Sequence, residues 1–205
     1  MQVIGLTGGI GSGKSTFCNL MQQHGIAFID SDQIARQVVV PGSPGLKSVV
    51  ATFGKEILNA DGSLNRPRLR DIIFADPKDR QPREKLEAIL HPLIREETLR
   101  QIDSYRQNAD YKHPYLLVAI PLLVEGILKT GRKPDYIDQI WVLDCSQQTQ
   151  IQRACSRDQS SLNQIKNILA NQASRQQRLQ HADRVIDNEK GLEELERQIE
   201  LLLRP

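Results

Sequence analysis

The stretch of this chain that most restricts its fold is the glycine-rich sequence GGIGSGKST at residues 8–16. An apolar segment at residues 3–7 precedes it and predicts a buried strand, and a helix is predicted to follow. A strand, a glycine turn and a helix in this order indicate an α/β fold that binds a nucleoside triphosphate. Four residues satisfy the pattern G-x-x-x-x-G-K-[ST]: Gly8, Gly13, Lys14 and Ser15.

Each part of this phosphate loop (residues 8–15) has a physical task. Glycines let the backbone curl so that successive N–H groups point at anionic oxygens, and the helix N-terminus adds its own N–H groups and dipole. The Lys14 ammonium is predicted to reach the β- and γ-phosphates as a catalytic group, and the Ser15 hydroxyl to bind Mg²⁺. A glycine-rich turn with a surface lysine is the alternative. The predicted nucleotide-binding residues here are Gly9, Gly11, Ser12, Gly13, Lys14, Ser15 and Thr16.

Four further apolar runs predict the other strands of a sheet. Each is continuous and bounded by polar or turn residues, which is typical of parallel strands covered on both faces. Helical segments separate the runs, so we predict an α/β fold in which helices flank a parallel five-stranded sheet. The four runs are IAFID at residues 26–30, YLLVAI at 115–120, IWVLD at 140–144 and RVID at Arg184–Asp187.

Two long segments lie between the predicted strands. Residues 31–112 have a helical pattern broken by PGSPG and NADGSLN, and they are long enough to form a small helical lobe. Within it, the pair His91-Pro92 is expected to kink or break a helix. Residues 150–184 are polar and basic, so a mobile lid over a bound nucleotide is predicted there.

The composition disfavours several other classes of protein. The formal net charge of +2 gives no strong field that would favour nucleic acid. The three cysteines lack CxxC spacing, so we expect reduced thiols in a cytoplasmic protein. The most apolar run, residues 115–128, is shorter than the ~20 residues that cross a bilayer. We therefore expect neither nucleic-acid nor membrane binding, and a monomer or weak homo-oligomer.

Acidic residues after the second predicted strand favour a phosphotransferase over a nucleotide switch. The chain lacks the N-K-x-D and D-x-x-G motifs of GTP-binding switches. Asp30 and Asp32 stand at the carboxyl end of that strand, where ligands bind in open α/β sheets. A small-molecule kinase needs a carboxylate there to orient or deprotonate the acceptor hydroxyl, and we predict this role for Asp32. Capping of the next helix is the alternative for both acids.

From end to end, the motifs of this chain resemble those of the dephospho-CoA kinase family. They are GLTGGIGSGKST at residues 5–16, IDSDQIAR at 29–36, FGKEIL and DGSLNRPRLR within 53–70, LEAILHPLIR at 86–95, IPLLVE at 120–125, TQIQRACSRD at 149–158 and ADRVIDN at 182–188. The resemblance implies a P-loop kinase that uses ATP and Mg²⁺ to phosphorylate the ribose 3′-hydroxyl of dephospho-CoA. The products would be CoA and ADP, in the final step of coenzyme A biosynthesis.

The resemblance also implies tasks for individual residues. Asp32 would be the catalytic base or hydroxyl-orienting carboxylate, and Asn188 would contact the adenine of ATP. Arg153, together with Arg157, would act from the lid on the transferring phosphoryl group. The implied organisation is a single domain of residues 1–205, with a core of about 1–30, 113–149 and 182–205, an acceptor-binding helical lobe of about 31–92 and a lid of about 150–180.

The chemistry of the transferring phosphoryl group supports the two lid arginines. Arg153 and Arg157 are four residues apart, so on a helix they share a face. A planar guanidinium can bond two phosphoryl oxygens at once. Two solvated arginines on a surface helix are the alternative.

An acceptor that itself carries phosphate needs cations in its binding lobe, and Arg66, His91 and Arg95 are the candidates. His91 has a structural alternative, in which it caps or bonds a backbone carbonyl at the proline break. Glu125 could hold a basic residue or a metal-bound water, or simply begin a helix, where acids are favoured. The predicted substrate-binding residues are Thr7, Asp32, Arg66, His91, Arg95 and Glu125.

One part of the lid departs from the family pattern. Many members have an arginine four residues before the lid glutamine that corresponds to Gln172, and this chain has Ile168 there. The sequence QAS also replaces the usual QMP. With Arg175 and Arg178 nearby, the sequence leaves open which arginines complete the lid.

Two other functions remain open to the sequence. One is a P-loop kinase for another nucleoside or nucleotide. The other is a regulatory module that binds a nucleotide without transferring phosphate.

Overall fold

The computed structural model describes residues 1–76, 79–159 and 161–204, with the backbone alone at Asp158. The chain divides into two compact units. The first unit combines Met1–Asp30 with Ser104–Pro205, and the second is Ser31–Asp103.

A parallel five-stranded sheet forms the centre of the first unit, as predicted. The strand order is β2-β3-β1-β4-β5, and every neighbouring pair is parallel. Each strand falls within two residues of its predicted position. The strands are β1 Gln2–Thr7, β2 Phe28–Asp30, β3 Tyr115–Ala119, β4 Gln139–Asp144 and β5 Arg184–Asp187.

Alternating side chains of the central strands are buried on both faces of this sheet. Trp141 of β4 packs in one apolar cluster with Phe17 of the first helix. Its neighbour Val142 packs in another cluster, with Leu123 of a different helix. All four side chains are almost fully buried, which explains why the strands read as continuous apolar runs.

Six helices among the described residues surround the sheet in the first unit. Serine caps begin three of them: Ser146, Ser161 and Ser174 each accept a hydrogen bond from the backbone N–H three residues later. These three short helices make up most of the segment predicted as a lid. The six are α1 Lys14–Gln23, α6 Leu123–Thr130, α7 Gln147–Asp158, α8 Leu162–Asn171, α9 Arg175–Gln180 and α10 Leu192–Leu203.

The second unit is helical and has an apolar core of its own. Val49 and Ile57 are fully buried at its centre. Two of its helices begin with a side-chain cap and a proline in the first turn: Ser43 caps the helix Pro44–Phe53, and Asn65 caps the helix Arg66–Ile73. Its elements are α2 Ser31–Gln37, α3 Pro44–Phe53, a 3₁₀ turn at Lys55–Ile57, α4 Arg66–Ile73 and the greater part of α5 Gln81–Gln107.

The longest described helix, α5, runs unbroken through Pro92, so the predicted break at His91-Pro92 is wrong. A proline removes one backbone hydrogen bond from a helix interior. Apolar residues within the two preceding turns, Leu86, Ile89 and Leu90, pack against the core of the second unit and hold the helix on that side. Of the helices in the described ranges, none is long and apolar enough to cross a membrane.

Candidate active site

The carboxyl ends of the strands lie level at one edge of the sheet. Asp30 pairs in register with Ala119, and Asp144 with Asp187, while β1 ends at Thr7. The phosphate loop follows β1, which stands between β3 and β4. After β1 the chain forms β2 and β3 on one side of it and then crosses to β4 and β5 on the other side. Open α/β sheets bind ligands at such a reversal of strand order.

The phosphate loop requires glycine at two positions. Gly11 has φ 71° and Gly13 has φ 96°, both in the left-handed region where a side chain causes strain. A Cβ atom at Gly11 would collide with the backbone oxygen of Gln150, and one at Gly13 with the side-chain amide of Asn188. The loop therefore combines a curled backbone with close contact to neighbouring segments.

Lys14 lies over the loop that precedes it. Its Nζ donates hydrogen bonds to the carbonyl oxygens of Gly8 at 2.6 Å and Gly9 at 3.3 Å. Ser15 and Thr16 are exposed in the first turn of α1, where the N–H groups and the dipole favour an anion. An ammonium group, a helix N-terminus and two hydroxyl groups thus lie together.

The pKa of the Cys18 thiol is shifted by burial and by charged side chains near the start of α1. Burial and, to a smaller extent, the Asp30 carboxylate raise the pKa of Cys18 to about 12, against the opposing effect of the Lys14 ammonium. Coulomb interactions weaken with distance, so the Asp30 carboxylate lies near Cys18, on the same helix that Lys14 begins. The thiol stays protonated at neutral pH, and all three cysteines of the chain are free thiols.

Asn188 ties the loop to the end of the sheet. Its side chain is 5% exposed, and Nδ2 donates to Ser12 O at 2.8 Å. Its backbone N–H donates to Asp144 O at 2.8 Å. The structure therefore brings Asn188 and the phosphate loop together, whereas a contact with adenine stays a prediction.

The predicted lid arginines lie on α7. Arg153 Nη1 donates to the carbonyl oxygen of Asn188 at 2.8 Å. Arg157, one turn later, is exposed. A shallow groove contains both arginines together with Thr149, Gln152, Ser156 and Glu189.

Glu189, which the sequence analysis missed, fastens the turn after β5 to the start of α7. Its carboxylate accepts hydrogen bonds from the backbone N–H of Ser146, from the Ser146 hydroxyl at 2.9 Å and from the Thr149 hydroxyl. The bond from the Ser146 N–H and those from the two hydroxyls lower the pKa of Glu189. The carboxylate therefore stays ionised at neutral pH and keeps α7 beside Asn188.

Glu125 and Thr7 both make contacts within the first unit. Glu125 lies in the first turn of α6, where acids are favoured, and its Oε1 accepts from Ala173 N at 2.7 Å. The Thr7 hydroxyl donates to Pro121 O at 3.2 Å. Glu125 thus begins a helix and also holds the segment before α9.

The end of the predicted lid (residues 150–180) is attached to the core of the first unit. Gln172 Oε1 accepts a hydrogen bond from Ile10 N of the phosphate loop at 3.0 Å. Arg175 binds Asp144 through both carboxylate oxygens, with Nε–Oδ1 at 2.9 Å and Nη2–Oδ2 at 2.6 Å. This end of the segment is therefore docked beside the loop and β4.

The remaining predicted site residues belong to the second unit. Asp32 is exposed in the first turn of α2. Burial lowers the pKa of Arg66, and the nearby Arg36 guanidinium lowers it further, so two cations lie close together. His91 and Arg95 are exposed one turn apart on α5. Exposed cations on this unit suit a molecule that carries phosphate.

Besides Glu189, sequence reasoning missed Gln150 and Gln172 as neighbours of the phosphate loop. Gln150 is 3% exposed. The one available signal was its position four residues before Ala154, on the buried face of a helix. Gln172 was known only as the lid glutamine of the family pattern, and its contact with Ile10 could not be foreseen because it joins segments far apart in sequence.

Known proteins match the sequence of this chain along nearly its whole length. The family model described as dephospho-CoA kinase matches residues 2–194. The dephospho-CoA kinase of Aggregatibacter actinomycetemcomitans is 47% identical over 93% of this chain and 85% of its own length. That of Hydrogenovibrio crunogenus is 45% identical over 99% of this chain and 97% of its own.

Solved structures show the same fold. A crystal structure from Thermus thermophilus superposes with a TM-score of 0.78 at 24% identity, covering 98% of this chain and 96% of its own. The dephospho-CoA kinase of Campylobacter jejuni superposes with a TM-score of 0.62 at 23% identity, covering 98% and 95%. At this identity the two structures support the fold, and the sequence matches decide the family. This chain belongs to the dephospho-CoA kinase family.

Proposed function

We propose that the phosphate loop of this chain delivers the γ-phosphoryl group of ATP to dephospho-CoA. As a member of its family, the chain phosphorylates the ribose 3′-hydroxyl of dephospho-CoA, giving CoA and ADP in the last step of coenzyme A biosynthesis. The observation that carries this function is the curled loop with Lys14 above Gly8 and Gly9, in a chain that matches the family over residues 2–194.

Lys14 and Ser15 are proposed to bind the phosphates and their metal ion. Lys14 exchanges its hydrogen bonds to Gly8 and Gly9 for bonds to phosphate oxygens, since an ammonium binds an anion more strongly than a carbonyl. The exposed Ser15 hydroxyl fits Mg²⁺, which takes oxygen ligands together with substrate phosphates. Bound there, the ion would supply positive charge to the phosphates.

Asp32 and Arg153 are proposed to act on the reacting groups. The ribose 3′-oxygen attacks the γ-phosphorus, the bond to the bridging oxygen of ADP breaks, and the hydroxyl proton passes to the Asp32 carboxylate. Arg153 leaves the carbonyl of Asn188 and binds the transferring phosphoryl oxygens, with Arg157 on the same helix beside it.

The other site residues are proposed to hold the two substrates. Arg66, His91 and Arg95 bind the phosphate groups of dephospho-CoA, because their side chains are exposed cations or hydrogen-bond donors on the second unit. Glu125, which accepts from Ala173 N, and Thr7, which donates to Pro121 O, hold the backbone around the acceptor substrate at the carboxyl ends of the strands. Asn188 lies beside the adenine of ATP, and residues 150–180 act as the lid.

The test is an ADP-release assay with ATP and Mg²⁺, run with dephospho-CoA, adenosine, AMP or no acceptor. We expect release only with dephospho-CoA, and CoA as the second product. Equal release with adenosine or AMP would move the acceptor assignment to another nucleoside or nucleotide. No acceptor-dependent release would contradict the proposed reaction.

A further inference from the structure

Three buried polar atoms near the phosphate loop lack a hydrogen-bond partner among the described residues. They are Ser12 Oγ, Gln150 Nε2 and Arg178 Nε. Leaving a buried donor or acceptor unsatisfied costs about 1–3 kcal/mol, and such groups are few in native proteins. Three such atoms around one loop indicate that their side chains serve the function of the loop.

Two of these side chains converge on Gly9 from different helices. A Cβ atom at Gly9 would collide with Gln150 Nε2 of α7, and it would lie 3.1 Å from Arg178 Nη2 of α9. Both side chains are covered, at 3% and 4% exposure. Lys14 Nζ also reaches the carbonyl oxygen of Gly9, at 3.3 Å. The Lys14 ammonium and the Arg178 guanidinium therefore both lie next to Gly9 of the phosphate loop.

The structure distinguishes Arg178 from Arg175, the other arginine of α9. Arg175 is more than half exposed, and its charge is paired with the Asp144 carboxylate. Arg178 donates from Nη1 to the backbone oxygen of Ala173. Burial lowers the pKa of Arg178, with the Glu125 carboxylate opposing the change, and an arginine side chain stays protonated in proteins. The charge of Arg178 is thus the one that α9 places at the loop.

We propose that Arg178, with Gln150 beside it, is a positioning residue for the γ-phosphate end of the loop. Because the guanidinium is covered, it acts through the backbone of Gly9 and through its charge, without touching the nucleotide. Lys14 contacts the same glycine and is predicted to reach the β- and γ-phosphates. The part of the loop at Gly9 is therefore the end that receives the terminal phosphate. A positive charge in a low-dielectric interior there favours a triphosphate over a diphosphate.

This inference rests on the proposed function, because it takes ATP as the ligand. The test compares the dissociation constants of ATP and ADP, measured by calorimetry without acceptor, for the full chain and its variants. Arg178→Met removes the charge and keeps the length. We expect the ratio of the ADP to the ATP dissociation constant to fall roughly tenfold, through weaker ATP binding. Arg178→Lys keeps the charge and should retain most of the preference.

Arg197→Met is the matched control, since it removes an exposed guanidinium of the first unit that is already paired with Glu194. Its ratio should equal that of the wild type. Equal loss of ATP and ADP affinity in Arg178→Met, or an unchanged ratio, would overturn the proposal by leaving Arg178 a structural role. If Arg178→Met fails to fold, the other two variants decide. Gln150→Met must weaken ATP binding more than ADP binding, and Arg178→Lys must not. The opposite result overturns the proposal.

The wild-type measurements separate this inference from the proposed function. A wild-type chain that bound neither nucleotide would contradict the proposed function and this inference with it. A normal wild-type preference for ATP that persists in Arg178→Met would overturn this inference alone.

Discussion

At the scale of single residues, Asp32 gives the most direct test of the proposed chemistry. Asp32→Asn keeps the shape and the acceptor oxygen of the side chain, but an amide does not take up the hydroxyl proton. We therefore expect turnover to fall roughly 100-fold or more, with ATP affinity unchanged. The ADP-release assay and calorimetry measure the two quantities.

Asp71→Asn is a suitable control for Asp32→Asn, because it neutralises another exposed helical acid of the second unit. Its turnover should match the wild type. Turnover close to wild type in Asp32→Asn would remove this carboxylate from catalysis.

The sequence predicted the local geometry of the phosphate loop, because that geometry depends on neighbours in the chain. Gly11 and Gly13 take left-handed backbone angles, and the spacing of the glycines, Lys14 and Ser15 follows from one strand, one turn and one helix. Gln172 could not be identified in this way. Its side chain completes the loop only because the fold brings two distant segments together.

At the scale of elements, the strands and the helix interruptions at PGSPG and NADGSLN were predicted well, whereas the break expected at Pro92 is absent. Burial on both faces makes parallel strands apolar throughout, so runs such as IWVLD coincide with β4 almost to the residue. The break expected at Pro92 depended on local preference alone. The packing of Leu86 and Ile89 in the core of the second unit outweighs the hydrogen bond that the proline removes.

The helices of the predicted lid should differ in mobility. The start of α9 is held through Ala173 to Glu125 and through Arg175 to Asp144, so we expect slow hydrogen exchange there with or without ligands. In contrast, α7 and α8 should gain protection when ATP and an acceptor analogue bind, because these lid helices close over the bound nucleotide. Exchange measured by mass spectrometry resolves the three helices.

Helix α10 is the internal reference for this experiment, since Leu195 and Ile199 are buried in the sheet core away from the lid segment. Its exchange should not respond to ligands. Identical exchange of α7 and α8 with and without ligands would count against closure. Ligand-dependent protection confined to α9 would place the moving part elsewhere than we propose.

At the scale of the whole molecule, two units with separate cores carry different groups of site residues. The first unit holds the phosphate loop and the residues that fasten it, whereas Asp32 and the exposed cations belong to Ser31–Asp103. From the sequence we expected an acceptor-binding lobe at about residues 31–92, beginning where β2 ends. The second compact unit runs on to Asp103, because α5 continues through Pro92 without a local signal.

Weakening one core at a time tests whether the second unit binds the acceptor. Ile57→Ala and Ile199→Ala each remove a fully buried side chain, from the second and the first unit respectively, and should each destabilise the chain by about 2–5 kcal/mol. We expect Ile57→Ala to raise the KM for dephospho-CoA severalfold and to leave the ATP dissociation constant unchanged, because the cations of Ser31–Asp103 lose their support. Assays below the unfolding temperature of both variants measure these constants. Ile199→Ala, with a comparable loss of stability, should leave the KM for dephospho-CoA unchanged. An equal rise of that KM in both variants would contradict an acceptor site on the second unit.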